Sequence, residues 1–233
     1  MEKCLLSVDW DYFIYSGYRN FGSYVENKRT IIDLWYKRYI LSKRKGEDIR
    51  RYFRLSKDFQ SFWHKIKGTF GLIKGIKVYV SDSHALSYQI ALDNKCNTVY
   101  LFDSHADLGY GGLESLQFEV NCGNWLGKLF IDKKIDKAHI IYSLFTLEKP
   151  HYFNFINKLY NINYPKLEDL DTGIDIDVIH IARSGAWTPP WYDEEFFKFI
   201  NSLRLPYKIV DCPIRRWDPG KISFADEIYY LMA

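Results

Sequence analysis

Six short apolar or β-branched runs alternate with longer segments of helical character, and this alternation constrains the fold most. The runs are "KCLLSVD", "IKVYVS", "NTVYLFD", "AHIIYS", "DVIHIA" and "YKIVD". Between them lie helical candidates, "SHALSYQIALD", "GNWLGKLFI", "EKPHYFNFINKLY" and "WYDEEFFKFINSL". Parallel neighbours in a sheet need long crossovers, so the pattern predicts an α/β fold of three layers, α/β/α, with a mostly parallel sheet. At 233 residues and 47% hydrophobic, the chain can bury a sizeable core, and it reads as a single domain over 1–233. Ligands in such folds bind beyond the carboxyl ends of the strands.

Three strand ends are unusually rich in ligating side chains. "LLSVDWDYF" closes in Asp9 and Asp11, spaced so that both carboxylates can face one side. "VYVSDSHALSY" closes in Asp82 and His84, and "TVYLFDSHADLGY" in Asp103, His105 and Asp107. Each motif alone is weak, since an isolated D-x-D is usually a turn or cap and a lone His is usually structural. Together Asp9, Asp11, His84, Asp103, His105 and Asp107 offer four carboxylates and two imidazoles with no basic residue among them. Carboxylates crowded in this way repel one another, and a pair of divalent cations resolves the conflict charge for charge. Oxygen-rich ligation with some imidazole suits two Mn²⁺ ahead of Fe²⁺ or Zn²⁺, and such a pair makes a hydrolytic site.

A rival D-x-D, Asp175 and Asp177, sits at the beginning of its strand, the wrong end for such a site. Residues 28–67 break the alternation. They read as a helical hairpin broken near Gly46, rich in Lys, Arg, Trp, Tyr and Phe. Its basic face is either solvated or a docking surface for an acidic or peptide partner.

Other features exclude whole classes. No apolar run is long enough to span a membrane, and the start "MEKCLLSVDW" lacks the form of a signal peptide. Cys4, Cys96, Cys122 and Cys212 show no zinc-type spacing and read as reduced thiols, so a cytoplasmic location is expected. A net charge of +3 gives no case for nucleic acid.

The motif set resembles the ureohydrolase superfamily of arginases and agmatinases, whose metal ligands come from an H, a D-x-H-x-D and a D-x-D at strand ends. The closer likeness is to a little-studied arginase-like family that includes peptide arginases. Four stretches carry it: "SDSHALSY", "LFDSHADLGY", "NCGNWLGKL" and "HIARSGAWTPP". One departure is that the D-x-D strand lies at the N-terminus here, whereas in those relatives it follows the other motifs. The resemblance implies an arginase-like fold in which His84 binds a first metal and His105 a second. Asp103 and Asp9 would bridge, Asp107 would complete the first site and Asp11 the second.

The implied reaction is hydrolysis of the guanidinium of arginine in a precursor peptide to ornithine and urea, with Asp103, His105 and Asn124 at the reaction centre. Asn124 reads equally as a helix cap. Trp125 and Leu126 stand where arginases carry a proton-shuttling histidine. Asp82 and Glu119 are candidates for holding the guanidinium, though each also reads as an ordinary loop or cap acid. Arg183, Ser184 and the "WTPPW" loop border the expected pocket, and Arg183 reads equally as a structural ion pair. A small-molecule ureohydrolase, a one-zinc deacylase or a metal-retaining binding protein are the alternatives.

Overall fold

The computed structural model describes residues 2–18 and 31–232. Among the described residues nine strands form: β1 (Cys4–Asp9), β2 (Ile14–Ser16), β3 (Phe53–Leu55), β4 (Phe70–Ser81), β5 (Thr98–Asp103), β6 (Lys137–Tyr142), β7 (Asn161–Asn163), β8 (Ile174–Ala182) and β9 (Lys208–Asp211). Seven of them build one sheet in the order β7-β6-β5-β1-β8-β4-β9, and every pairing in it is parallel. All six residues of β1 and of β5 are buried. That is why both read as near-continuous apolar runs: a central parallel strand is covered on both faces.

Among the described residues seven α-helices accompany the sheet: α1 (Ile31–Arg44), α2 (Phe62–Thr69), α3 (Leu86–Asp93), α4 (Trp125–Ile131), α5 (Asn154–Asn157), α6 (Asp193–Ser202) and α7 (Phe224–Met232). Successive side chains of a strand point to opposite faces, and β1 divides the core accordingly. Leu6 and Val8 join a cluster with Trp35, Trp63, Phe196 and Phe199, from α1, α2 and α6. Leu5 joins another with Ile90, Trp125, Leu129 and Ile156, from α3, α4 and α5. The architecture is thus three-layer α/β/α, as the alternation predicts. No described helix is long and apolar enough to cross a membrane.

The basic segment differs from the expected hairpin. Its residues 28–30 lie outside the described residues. Helix α1 stops at Arg44, and Gly46, at φ +76°, turns the chain. A 3-10 turn (Ile49–Tyr52) and β3 follow, with α2 only afterwards. Strand β3 pairs antiparallel with β2, so the chain between the two helices forms a ribbon instead of a tight return. The aromatic residues explain why: Phe53, Phe59, Phe62 and Trp63 are all buried in the first cluster, which two amphipathic helices in a hairpin could not achieve together.

Chain order places the site. β1 connects toward β4 on one side, whereas β5 connects to β6 on the other, so the β1–β5 boundary is a topological switch point with a crevice beyond its carboxyl ends. Register then levels the strand ends. Val8 pairs with Phe102, Asp9 with Ala182, and Ser81 with Ala182. Asp9, Asp103 and the residues after Ser81 therefore emerge together.

Candidate metal centre

Local backbone geometry aims the carboxylates. Asp9 ends β1 and caps a 3-10 turn (Trp10–Phe13), its Oδ1 accepting the Asp11 amide at 3.0 Å. Asp103 ends β5 and its Oδ1 accepts the His105 amide at 2.8 Å. Both are short side-chain-to-backbone turns that Asp makes readily and that leave the second oxygen pointing away from the turn. Asp107 stands in the left-handed region at φ +51°, and its carboxylate meets the Trp125 indole and the His84 ring.

Six side chains converge as two overlapping sets. His84 Nδ1 lies 3.0 Å from Asp103 Oδ2, 3.0 Å from Asp107 Oδ2 and 3.2 Å from Asp9 Oδ2. His105 Nδ1 lies 2.9 Å from Asp11 Oδ2 and 3.6 Å from Asp103 Oδ1. Ligand atoms of Asp9, His84 and Asp103 fall within 4.8 Å of one another, and so do those of Asp11, Asp103 and His105. Asp103 belongs to both sets. The first is wholly buried, whereas the His105 side chain is 45% exposed and opens the second to solvent.

The donor set fits cations better than it fits hydrogen bonding. Three carboxylate oxygens surround a single ring nitrogen, and both His84 Nδ1 and Asp103 Oδ2 are buried without a properly formed hydrogen bond. Burial, Asp11, Asp107 and Asp9 push the Asp103 carboxyl well above the usual range. Burial and Asp11 raise Asp9 as well. Burial also acts to raise Asp11, but His105 and neighbouring hydrogen bonds bring it net below its ordinary value. Burial disfavours the charged forms of His84 and His105, yet the surrounding acids win and hold both pKa values well up. Repelling acids and orphaned donor atoms are what a cation-binding cradle of four carboxylates and two imidazoles looks like.

Further residues orient these side chains. His84 Nε2 is 2.8 Å from Ser7 Oγ, which leaves Nδ1 facing the acids. Ser7 continues a buried line through Ser87 and His180 to Ser81, with separations of 2.8, 2.6 and 2.8 Å. Burial and the neighbouring His84 hold His180 far below its ordinary pKa, hence neutral. Trp125 donates its indole N–H to Asp107 Oδ2 at 2.6 Å, so the residue that cannot shuttle a proton instead fixes a carboxylate. Ser184, at φ +50°, donates to Asp9 Oδ2, and the Ser104 amide donates to Asp11 Oδ1 at 3.2 Å. Trp125 and Ser184 fall within stretches that the sequence marks, whereas Ser7 and His180 lie inside buried strands with no motif of their own.

Several expected residues are placed elsewhere. Asn124 is turned into its own loop: its Oδ1 accepts the Asn121 amide at 2.8 Å and its Nδ2 reaches the Glu119 and Ser115 carbonyls. Its side chain makes no cap bond to α4 either, so it braces the loop. The Asp82 carboxylate holds Arg183 Nε at 2.5 Å and is buried, which removes it as a holder of substrate guanidinium. Arg183 is consumed as a structural ion pair, reaching Asp193 and the Pro213 carbonyl besides. Glu119 is exposed, with its carbonyl serving the loop. Asp177 lies at the opposite end of β8, accepting the Cys4 amide at 2.8 Å. Of "WTPPW", Trp187 comes nearest, its ring centroid 6.5 Å from that of His105.

No protein-family model matches the chain, and neither the curated proteins nor the solved structures contain a match to it.

Proposed function

We propose that this protein is a hydrolase of the arginase type, using two divalent cations, manganese foremost, to cleave the guanidinium of arginine residues in a peptide. The observation that supports it most is the pair of overlapping ligand sets sharing Asp103. Asp9, His84, Asp103 and Asp107 would hold one ion, and Asp11, Asp103 and His105 the other. The bound ions would supply a water activated near neutral pH and charge stabilisation during attack on the guanidinium carbon.

The chain's own residues supply the preorganisation. Ser7, Trp125 and Ser184 each fix one ligand by hydrogen bond, so the cradle need not rearrange when it fills. A peptide substrate is favoured over free arginine because the two arginines around the loop after β8 are already engaged. Arg183 pairs with Asp82 and Asp193, while Arg215 pairs with Asp193 and donates to the Gly185 and Thr188 carbonyls. Neither is available to grip a free α-carboxylate.

Mass spectrometry on manganese-loaded protein incubated with an arginine peptide, and separately with free arginine, tests the reading. Conversion of peptide arginine to ornithine with urea released, and free arginine untouched, is expected. Turnover of free arginine alone would make the protein a small-molecule ureohydrolase. No change in either substrate would remove the arginase reading and bring deacylation or binding forward.

A further inference from the structure

Two anchored loops flank the open side of the Asp/His cluster. In the strand order β6-β5-β1-β8, Asp11 and His105 follow the two middle strands, so the loops after β6 and β8 stand on either side of them. On the β8 side, residues 183–190 are all buried except Trp187, which is half-buried. Its ring centroid lies 6.5 Å from that of His105, the exposed member of the cluster. The backbone beneath it is held from two directions. From α1, the Trp35 indole donates to the Gly185 carbonyl at 2.7 Å and Arg38 donates to that of Ala186 at 2.6 Å. Arg215 donates to the Gly185 and Thr188 carbonyls at 2.7 and 2.6 Å.

On the β6 side, residues 143–148 are fastened to the Asp- and His-bearing segments themselves. The Ser143 hydroxyl donates to the Tyr12 carbonyl at 2.7 Å, and the Thr146 hydroxyl to the Ser104 carbonyl at 2.6 Å. Glu148 Oε2 accepts the Ala106 amide at 2.8 Å, so Thr146 and Glu148 grip the residues on both sides of His105. Between these anchors Leu144 and Leu147 are 90% and 88% exposed, the most exposed large apolar side chains among the described residues. Apolar groups held in water beside a polar cluster mark a contact surface, and a loop already anchored loses little freedom when it is covered. The three hydrogen bonds tie both leucines to the cluster, so a partner that covers them also lies across its open side.

We infer that Trp187 on one flank and Leu144 and Leu147 on the other receive apolar side chains of a peptide, on both sides of the residue presented to the cluster. The inference deepens the arginase reading and rests on it for arginine at that central position. Strands β6 and β8 stand three spacings apart, roughly 14 Å, and an extended peptide rising about 3.3 Å per residue crosses that width in about four residues. Free arginine is too short to reach both flanks. The substrate class is therefore a peptide in which arginine lies among leucine-like or aromatic neighbours.

The test uses the full chain loaded with manganese and two capped pentapeptides, one with arginine between pairs of leucines and one with arginine between pairs of serines. Calorimetry reads binding, and urea release is read separately. The leucine peptide should bind about 10- to 100-fold more tightly and show a KM lower to match, as burial of a few apolar side chains requires. The double variant Leu144→Ser/Leu147→Ser changes only side chains in water, so it should fold and keep its metal, yet lose most of that preference. Trp187→Ala should reduce it several-fold. Equal affinity for both peptides with urea released from each overturns the inference and leaves the hydrolase reading in place. A preference that survives both variants overturns it too, as does failure of either peptide to bind. Self-association of the wild-type chain by light scattering, lost in the double variant, would assign the leucines to a second copy and overturn it as well. Binding of the leucine peptide that depends on these residues, without urea release, upholds the surface and removes the hydrolytic reading instead.

Discussion

Asp103 carries opposite consequences in the metal-free and metal-loaded protein. It is the one carboxylate shared by both ligand sets, it is buried, and its pKa is held far above its ordinary value of 3.8 by burial and three neighbouring acids. A carboxyl raised in this way contributes stability at low pH, and that contribution is lost as pH rises through the folded value. At neutral pH without metal the ionised form is therefore a cost. Asp103→Asn should raise the stability of the metal-free chain by about 1–3 kcal/mol, because the amide removes the repelling charge yet can still accept the His105 amide. The same substitution should abolish two-metal binding and reduce hydrolysis by at least about 10³-fold. Thermal melts with and without manganese, beside metal analysis, check both signs. A fall in metal-free stability would show that Asp103 is held by the histidines more than it is repelled by the acids.

His139 in β6 makes a second residue-scale case, away from the site. Its ring stacks on Tyr100 at 4.7 Å, both ring nitrogens are buried without a hydrogen-bond partner, and burial followed by Lys137 pulls its pKa down to about 4. Between pH 6.5 and about 4 the unfolded chain takes up a proton that the folded one refuses, so folding weakens as pH falls through that window. The effect should be about 1–2 kcal/mol after allowance for partial solvent exposure of the ring. His139→Phe keeps the stack and cannot titrate. The difference in denaturant stability between wild type and His139→Phe should change across this window and be flat above it. A difference that stays constant from pH 7 to 4 would show that the ring is solvated in the folded protein.

At the scale of elements, α4 holds the loop that carries Asp107 in place. The Leu126 and Gly127 amides both donate to the Asp107 carbonyl at 3.1 Å, while the Trp125 indole takes the same residue's carboxylate. Contact is close enough that a Cβ at Gly127 would lie 2.7 Å from the Leu108 carbonyl oxygen and from Leu116 Cδ2. Gly127→Ala should therefore push the helix off the loop, costing about 1–3 kcal/mol and weakening the ion held with Asp107 more than the one held by Asp11 and His105. Calorimetric titration with manganese, resolving two affinities, checks the asymmetry. Equal weakening of both would place the damage in the fold at large. Strands β1, β5 and β8 were legible in the sequence because burial on both faces leaves a compact apolar signature, while β4, β6 and the exposed edge strand β9 were legible from their β-branched and apolar residues alone. Three-residue strands such as β3 and β7 carry no period, and β3 exists because Phe53 must be buried beside Trp35 and Trp191. The Asp- and His-bearing strand ends were legible because Asp and His are conspicuous after apolar runs. The parts that Ser7, Trp125 and Ser184 play in aiming them were not, since their partners lie 18 to 175 residues away.

At the scale of the whole molecule, two ions bound at this edge would tie three non-adjacent stretches of chain, residues 9–11, 84 and 103–107, across the middle of the sheet. β1 lies between β5 and β8 and feeds both core clusters, so a cation held there by β1, β4 and β5 ligands stabilises the cooperative unit as a whole. A ligand that binds only the folded chain adds about 2.7 kcal/mol at a free concentration one hundred times its Kd. For a chain of this length that amounts to a rise in Tm of about 5–10 °C for each site filled. Manganese should raise the melting temperature and a chelator should reverse the rise. The reversal should come in two steps: the ion beside the exposed His105 leaves first, and the one enclosed by His84, Asp9, Asp103 and Asp107 leaves last. Metal content measured along the chelator titration should pass from two equivalents through one to none, and Asp11→Ala should delete only the first step. A single equivalent throughout, unaffected by Asp11→Ala, would reduce the centre to one ion at His84 and shift the favoured chemistry toward a one-metal deacylase.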